Sequence, residues 1–133
     1  MTGIAVHPEG WKPTKGYSSG MIAEGRTLHV AGQIGWNAGQ RFEHRDFIGQ
    51  TAQALRNVLA VVEAAGGTAT DIVRLTWYVT DRRDYLSNQR EVGAAYRAVM
   101  GRHFPAMTLV AVSGLVEDEA LVEIEATAVL ART

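Results

Sequence analysis

Apolar and polar positions along this chain change period several times, and each change marks a predicted element. Over residues 46–65, Phe47, Thr51, Leu55, Val58, Leu59 and Val62 recur at three- and four-residue steps. That period places them on one face of an α-helix. Gln50, Gln53, Arg56 and Asn57 fall on the other face, Asp46 offers an N-cap, and Gly66-Gly67 a stop. Over residues 72–80 the period drops to two. Val73, Leu75, Trp77 and Val79 alternate with Arg74, Thr76 and Tyr78, which predicts a strand. Helical spacing returns over residues 84–100 through Val92, Ala95, Tyr96 and Val99, and Gly101 ends it. Gly93, inside this helix, costs about 1 kcal/mol relative to alanine unless something approaches it closely.

The two ends of the chain predict strands. Residues 18–24 and 27–33 flank the turn signal Glu24-Gly25-Arg26, and residues 35–45, broken by Gly35 and Gly39, read as a loop. Residues 107–112 are apolar enough for a strand buried on both faces. Residues 113–119 form an acidic, solvated turn. In the long strand 120–131, Leu121, Glu123, Glu125, Thr127 and Val129 share one face; Val122, Ile124, Ala126, Ala128 and Leu130 share the other. The order strand-strand, helix, strand, helix, strand-strand predicts an α+β fold with two helices packed on one face of a mixed sheet. Val122, Ile124 and Ala126 belong under the helices. The opposite face carries Glu123, Glu125, Trp77 or its neighbours, and several apolar groups. A sheet face that is neither polar nor helix-covered is commonly covered by another copy, so an oligomer is expected.

Composition narrows the picture. The length of 133 residues fits one domain over 1–133, with residues 1–16 as a polar N-terminal arm. Lys+Arg number 13 and Asp+Glu 14. That balance gives no electrostatic footprint for nucleic acid, so none is expected as a partner. With no cysteine, disulfides, thiolate zinc sites and a cysteine nucleophile are excluded, and a reducing compartment fits. No apolar run approaches the roughly 18 residues of a membrane span, and the arm is not a secretory signal. A cytoplasmic protein without a membrane partner is expected. His7, His29, His44 and His103 lack metal-ligand spacing, so no metal is expected. Gly32, Gly35 and Gly39 do not form a phosphate loop, and Arg82-Arg83 reads as a solvated turn. Among candidate groups, Glu123 stands out: a carboxylate among apolar strand residues is costly to bury without a role.

In order along the chain stand Gly16-Tyr17-Ser18, Val30-Ala31-Gly32-Gln33-Ile34, Asn57-Val58-Leu59, Ala64-Ala65-Gly66, Asp71-Ile72-Val73, Tyr78-Val79-Thr80-Asp81, Phe104-Pro105-Ala106 and Val122-Glu123-Ile124-Glu125-Ala126. Together they resemble the RidA family, also called YjgF, from about Gly16 to Leu130. The resemblance implies a chorismate-mutase-like α+β fold and a homotrimer with ligand clefts between adjacent subunits. It implies a small-molecule substrate or ligand and no metal or organic cofactor. Its best-described members hydrolyse reactive enamines and imines, such as 2-aminoacrylate, to the keto acid and ammonia; others are described as ribonucleases or translation inhibitors.

Carried over by motif, the cleft glutamate is Glu123, the tyrosine near the N-terminus is Tyr17, and the backbone positions before Gln33 are Ala31 and Gly32. An arginine that grips the substrate carboxylate follows Phe-Pro-Ala in the family; here Met107 stands there. A bidentate arginine offers charge-assisted bonds of about 1.5–3 kcal/mol each, and methionine offers none. Met107 and Leu109 then form a flexible apolar wall. The expectation is a hydrolytic enamine or imine deaminase of atypical specificity. The alternatives are a non-catalytic metabolite-binding trimer and, more weakly, an endoribonuclease-like or translation-inhibiting activity. Arg102 or Arg97 are candidates to replace the missing cation.

Overall fold

A computed structural model describes residues 3–132 of the chain. Strands β1 (Gly3–Val6) and β2 (Gly20–Ala23) pair antiparallel as a two-stranded sheet, with Gly3 opposite Ala23. Part of the N-terminal arm is therefore a strand; Met1 and Thr2 lie outside the described residues. After β3 (Arg26–Ile34) comes helix α1 (Phe47–Ala64), then β4 (Ile72–Val79), helices α2 (Arg82–Leu86) and α3 (Gln89–Met100), and strands β5 (Ala106–Ala111) and β6 (Val122–Leu130). The last four strands build one mixed sheet in the order β3-β6-β4-β5. Strand β6 runs antiparallel to both β3 and β4, while β4 and β5 are parallel. A parallel pair needs a crossover connection, which α2 and α3 supply.

The core lies between this sheet and the helices. Leu55, Val58 and Val62 of α1 meet Ile72, Leu75 and Val79 of β4 and Val122 and Ile124 of β6, all fully buried. Burying each such side chain contributes about 1.5–3 kcal/mol. Asp46 caps α1, accepting from the Gly49 amide at 2.9 Å, and Gly66 follows the helix with a left-handed φ of 89°, as a C-terminal stop requires.

Four expectations change. The predicted helix 84–100 is two helices: Asp81 accepts from the Arg83 amide and starts a separate turn, and Asn88 donates to the Asp84 carbonyl at the break. Residues 82–86 carry no buried side chain, so no apolar period announced them, and Arg82-Arg83 begins a helix. Second, Gln50 is fully buried on the core side of α1. Its amide donates to the His44 and Glu119 carbonyls at 3.2 and 2.9 Å and accepts from the Leu121 amide at 2.8 Å. Those three bonds satisfy it and tie the start of β6 to the helix. Third, a register irregularity between Ile72 and Arg74 takes Val73 out of phase, so Ile72 enters the core with Leu75. Fourth, β5 is an edge strand whose Thr108 and Val110 are exposed, because no helix covers that face.

Candidate functional site

The register of β5 decides what its side chains meet. Met107 pairs with Leu75 and Leu109 with Trp77, which puts both on the helix side of the sheet. Beyond the edge of the core they line a cleft of about 440 Å³ between β5, α3 and residues 15–17. Its back wall is an aromatic column. Tyr96 stacks on Phe104 with centroids 5.5 Å apart and on Trp77 at 6.5 Å. The Tyr96 hydroxyl donates to the His103 carbonyl at 2.5 Å, and burial pushes its phenol well above the ordinary range. The His103 ring is bound to the Ile72 carbonyl at 2.6 Å, a structural task. Trp77 is buried, with no hydrogen-bond partner for its Nε1.

Tyr17 reaches the lip of this cleft because Ser18 is anchored beside it. The Ser18 hydroxyl donates to the Phe104 carbonyl at 2.6 Å and its amide to Pro105 at 3.0 Å. Lys15 and Arg97 also line the cleft, and no carboxylate does.

The opposite face of the sheet carries two carboxylates, with Arg74 further along it. Glu123 pairs with Tyr78, and Glu125 with Thr76. The Tyr78 hydroxyl donates to Glu125. That bond, followed by desolvation and the charges of Glu125 and Glu123, holds the phenol above its ordinary value. Between Val30 and Gln33 the pairing of β3 with β6 is irregular, and Ala31 and Gly32 fall in the gap. Such bulges re-aim groups next to sites. A Cβ built on Gly32 would stand 2.8 Å from the Glu123 carboxyl carbon and closer still to its Oε2; only glycine leaves that carboxylate its place. A second hollow, about 370 Å³, opens here between Tyr78, Glu123, Glu125 and the loop 112–116, with no cation in its lining.

The predicted site residues thus fall into two groups. Tyr17, Met107 and Leu109 share the cleft; Ala31, Gly32 and Glu123 share the other face. Within one chain the sheet separates them. Trp36 lies in neither hollow and packs on Phe42 at 5.9 Å. Sequence reasoning did not single out Lys15, Tyr85 or Gln89 as cleft residues. A signal existed for one stripe: Gln89, Gly93 and Arg97 follow at four-residue steps on α3. Arg102 does not line the cleft. Among the described residues no group of three or more His, Asp or Glu could hold a metal ion, and no helix is long and apolar enough to cross a membrane.

Comparison with known proteins agrees with this architecture. A family model described as Endoribonuclease L-PSP matches residues 9–130. The 2-iminobutanoate/2-iminopropanoate deaminase of Escherichia coli strain K12 is 39% identical over 108 residues, which cover 79% of this chain and 80% of that protein. A Rid-family protein from Yersinia pestis, solved by crystallography, is 36% identical with a TM-score of 0.88, over 98% of this chain and all of that one. The crystal structure of the E. coli YjgF product is also 36% identical, with a TM-score of 0.67, covering 94% and 92% of the two chains.

Proposed function

This chain belongs to the RidA (YjgF) family, and from that premise we propose that it is a hydrolytic deaminase of an enamine or imine, with a specificity of its own. The observation that carries the reading is the Glu123 carboxylate, set over the bare backbone of Gly32 and beside an open hollow. There it can hold a water and act as general base. Water adds to the carbon of the C=N bond and its proton passes through Glu123 to the nitrogen. The carbinolamine then collapses: its hydroxyl proton passes, again through Glu123, to the amine nitrogen, the C–N bond breaks, ammonia leaves and the carbonyl forms. The balance needs no cofactor.

The other half of the site is the cleft of Met107, Leu109 and Tyr17. Since one sheet holds the halves apart, the reading includes a homotrimer in which the carboxylate-bearing face of one copy lies against the cleft of the next. Two features support it. The linings are opposite in charge, and the uncovered face exposes apolar Val110 and, at the rim of its hollow, Val116. Met107 gives no charge-assisted grip at its position, so the preferred substrate differs from the small imino acids named for the E. coli relative.

The test generates imino acids in situ from several amino acids with an amino acid oxidase and follows keto acid and ammonia. The wild-type protein is expected to sediment as a trimer and to accelerate release, and Glu123→Gln to lower the rate by about 10²–10⁴-fold. Ligand-induced melting shifts without acceleration for any imino acid would instead indicate a binding module and end this reading.

A further inference from the structure

We propose that Arg97 is the anion-binding group of the cleft, and that the ligand it holds is a carboxylate on a bulky, aromatic-sized apolar body. The inference rests on reading the cleft as the substrate-binding half of the site. Its geometry comes from α3, whose Gln89, Gly93 and Arg97 form one stripe along the cleft. A Cβ at Gly93 would lie 3.1 Å from a terminal guanidinium nitrogen of Arg97. The guanidinium is therefore folded back over the bare helix backbone, and the absent side chain leaves it that room. A glycine in a helix interior is otherwise costly.

The charge of Arg97 is not spent inside the protein. Among the described residues the one ion pair is Arg45–Glu119, and the cleft lining contains Lys15 and Arg97 with no acid. Two cations without a counter-charge at the mouth of a cavity select an anion, and arginine matches a carboxylate with two parallel bonds. The remaining walls select the body of the ligand. Met107 and Leu109 form an apolar side, and Phe104, backed by the buried Trp77 and Tyr96, an aromatic one. About 440 Å³ is the size of an ordinary small-molecule pocket. A three-carbon acid would leave the aromatic wall uncovered. The class that fits is an aromatic or similarly bulky 2-imino or 2-oxo acid, with its carboxylate at Arg97.

The experiment measures binding by calorimetry on the assembled protein, using phenylpyruvate, pyruvate and the neutral phenylacetone. Phenylpyruvate is expected to bind at least about tenfold more tightly than pyruvate. Arg97→Gln weakens phenylpyruvate by about 10- to 100-fold, Arg97→Lys by less, and neither changes phenylacetone binding. Arg102→Gln, outside the cleft, leaves all three unchanged. Phenylpyruvate binding to Arg97→Gln at wild-type strength, an equal loss in Arg102→Gln, or equal affinity for pyruvate overturns the assignment. The deaminase reading fails separately. Arg97-dependent binding with no imine turnover sinks that reading and upholds this one. Turnover of the imino acid from phenylalanine with an unchanged KM in Arg97→Gln does the reverse.

Discussion

Two hollows of this chain open on opposite faces of one sheet, and they are opposites in more than position. The cleft beside β5 is lined by five aromatic side chains, Met107 and two cations, and is built where a strand edge meets a helix. The hollow over β6 holds two carboxylates and a tyrosine, and is built from strand faces and a loop. The first can recognise a ligand body and an anion, and its lining has no carboxylate or imidazole to take a proton from water. The second has carboxylates, which can take a proton from water, and little to hold a substrate. The difference teaches how a two-residue period distributes chemistry: neighbouring positions on a strand serve opposite faces. A site needing both halves then requires a second copy of the chain.

The largest effect is expected at Gly32. Gly32→Ala drives a Cβ into the Glu123 carboxylate, whose carboxyl carbon would be 2.8 Å away. The crowded atoms end a half-buried side chain that can turn aside, so the substitution is expected to cost no more than about 1 kcal/mol in urea unfolding and, by displacing the carboxylate, to lower imine hydrolysis about 10²-fold. Unchanged activity would mean that the placement of Glu123 over Gly32 has no part in the chemistry.

On the cleft side, Gly93→Ala has the opposite sign for stability. It improves helix propensity by about 1 kcal/mol, and the atom it crowds, at 3.1 Å, is the far end of a flexible arginine that can swing aside. The urea midpoint is expected to rise with the m-value unchanged. A lower midpoint would show that the Arg97 guanidinium is held rigidly in its place.

The smallest effect is confined to alkaline pH. The hydrogen bond to Glu125 raises the Tyr78 phenol above 10.0. A raised folded-state value adds stability below the unfolded value and loses it as pH climbs through the folded one. Glu125→Gln should bring the Tyr78 titration down, read by ultraviolet absorbance as the difference from a Tyr78→Phe protein. It should also make the alkaline loss of stability less steep. A titration that does not move would assign the shift to desolvation instead.

Legibility from sequence followed the physics of each element. Helix α1 was readable end to end, because its cap, its stop and its apolar face are local features. The alternation of Leu75, Trp77 and Val79 was equally plain. Gln50 was misplaced because a polar residue enters a core only when distant backbone groups satisfy it, and its partners at Glu119 and Leu121 are about seventy positions away. The division between α2 and α3 was missed because exposed residues carry no apolar period. In the candidate site, Met107 and Glu123 were legible as positions and Arg97 as a possible cation. That Arg97 lines the cleft and Arg102 does not depends on how α3 sits against β5.

The family, the order of the elements from β2 onward except the break between α2 and α3, and the chemistry available at positions 107 and 123 follow from the sequence, since motifs and periodicity are properties of neighbours along the chain. Only the tertiary structure decided which of those groups share a hollow. That depends on strand register, and register here is altered by irregularities at Val73 and at Ala31-Gly32 that come from pairing between distant strands. Met107 lies beside Leu75 and Glu123 beside Tyr78, positions of opposite parity on β4, which is why the two stand on opposite sides of the sheet.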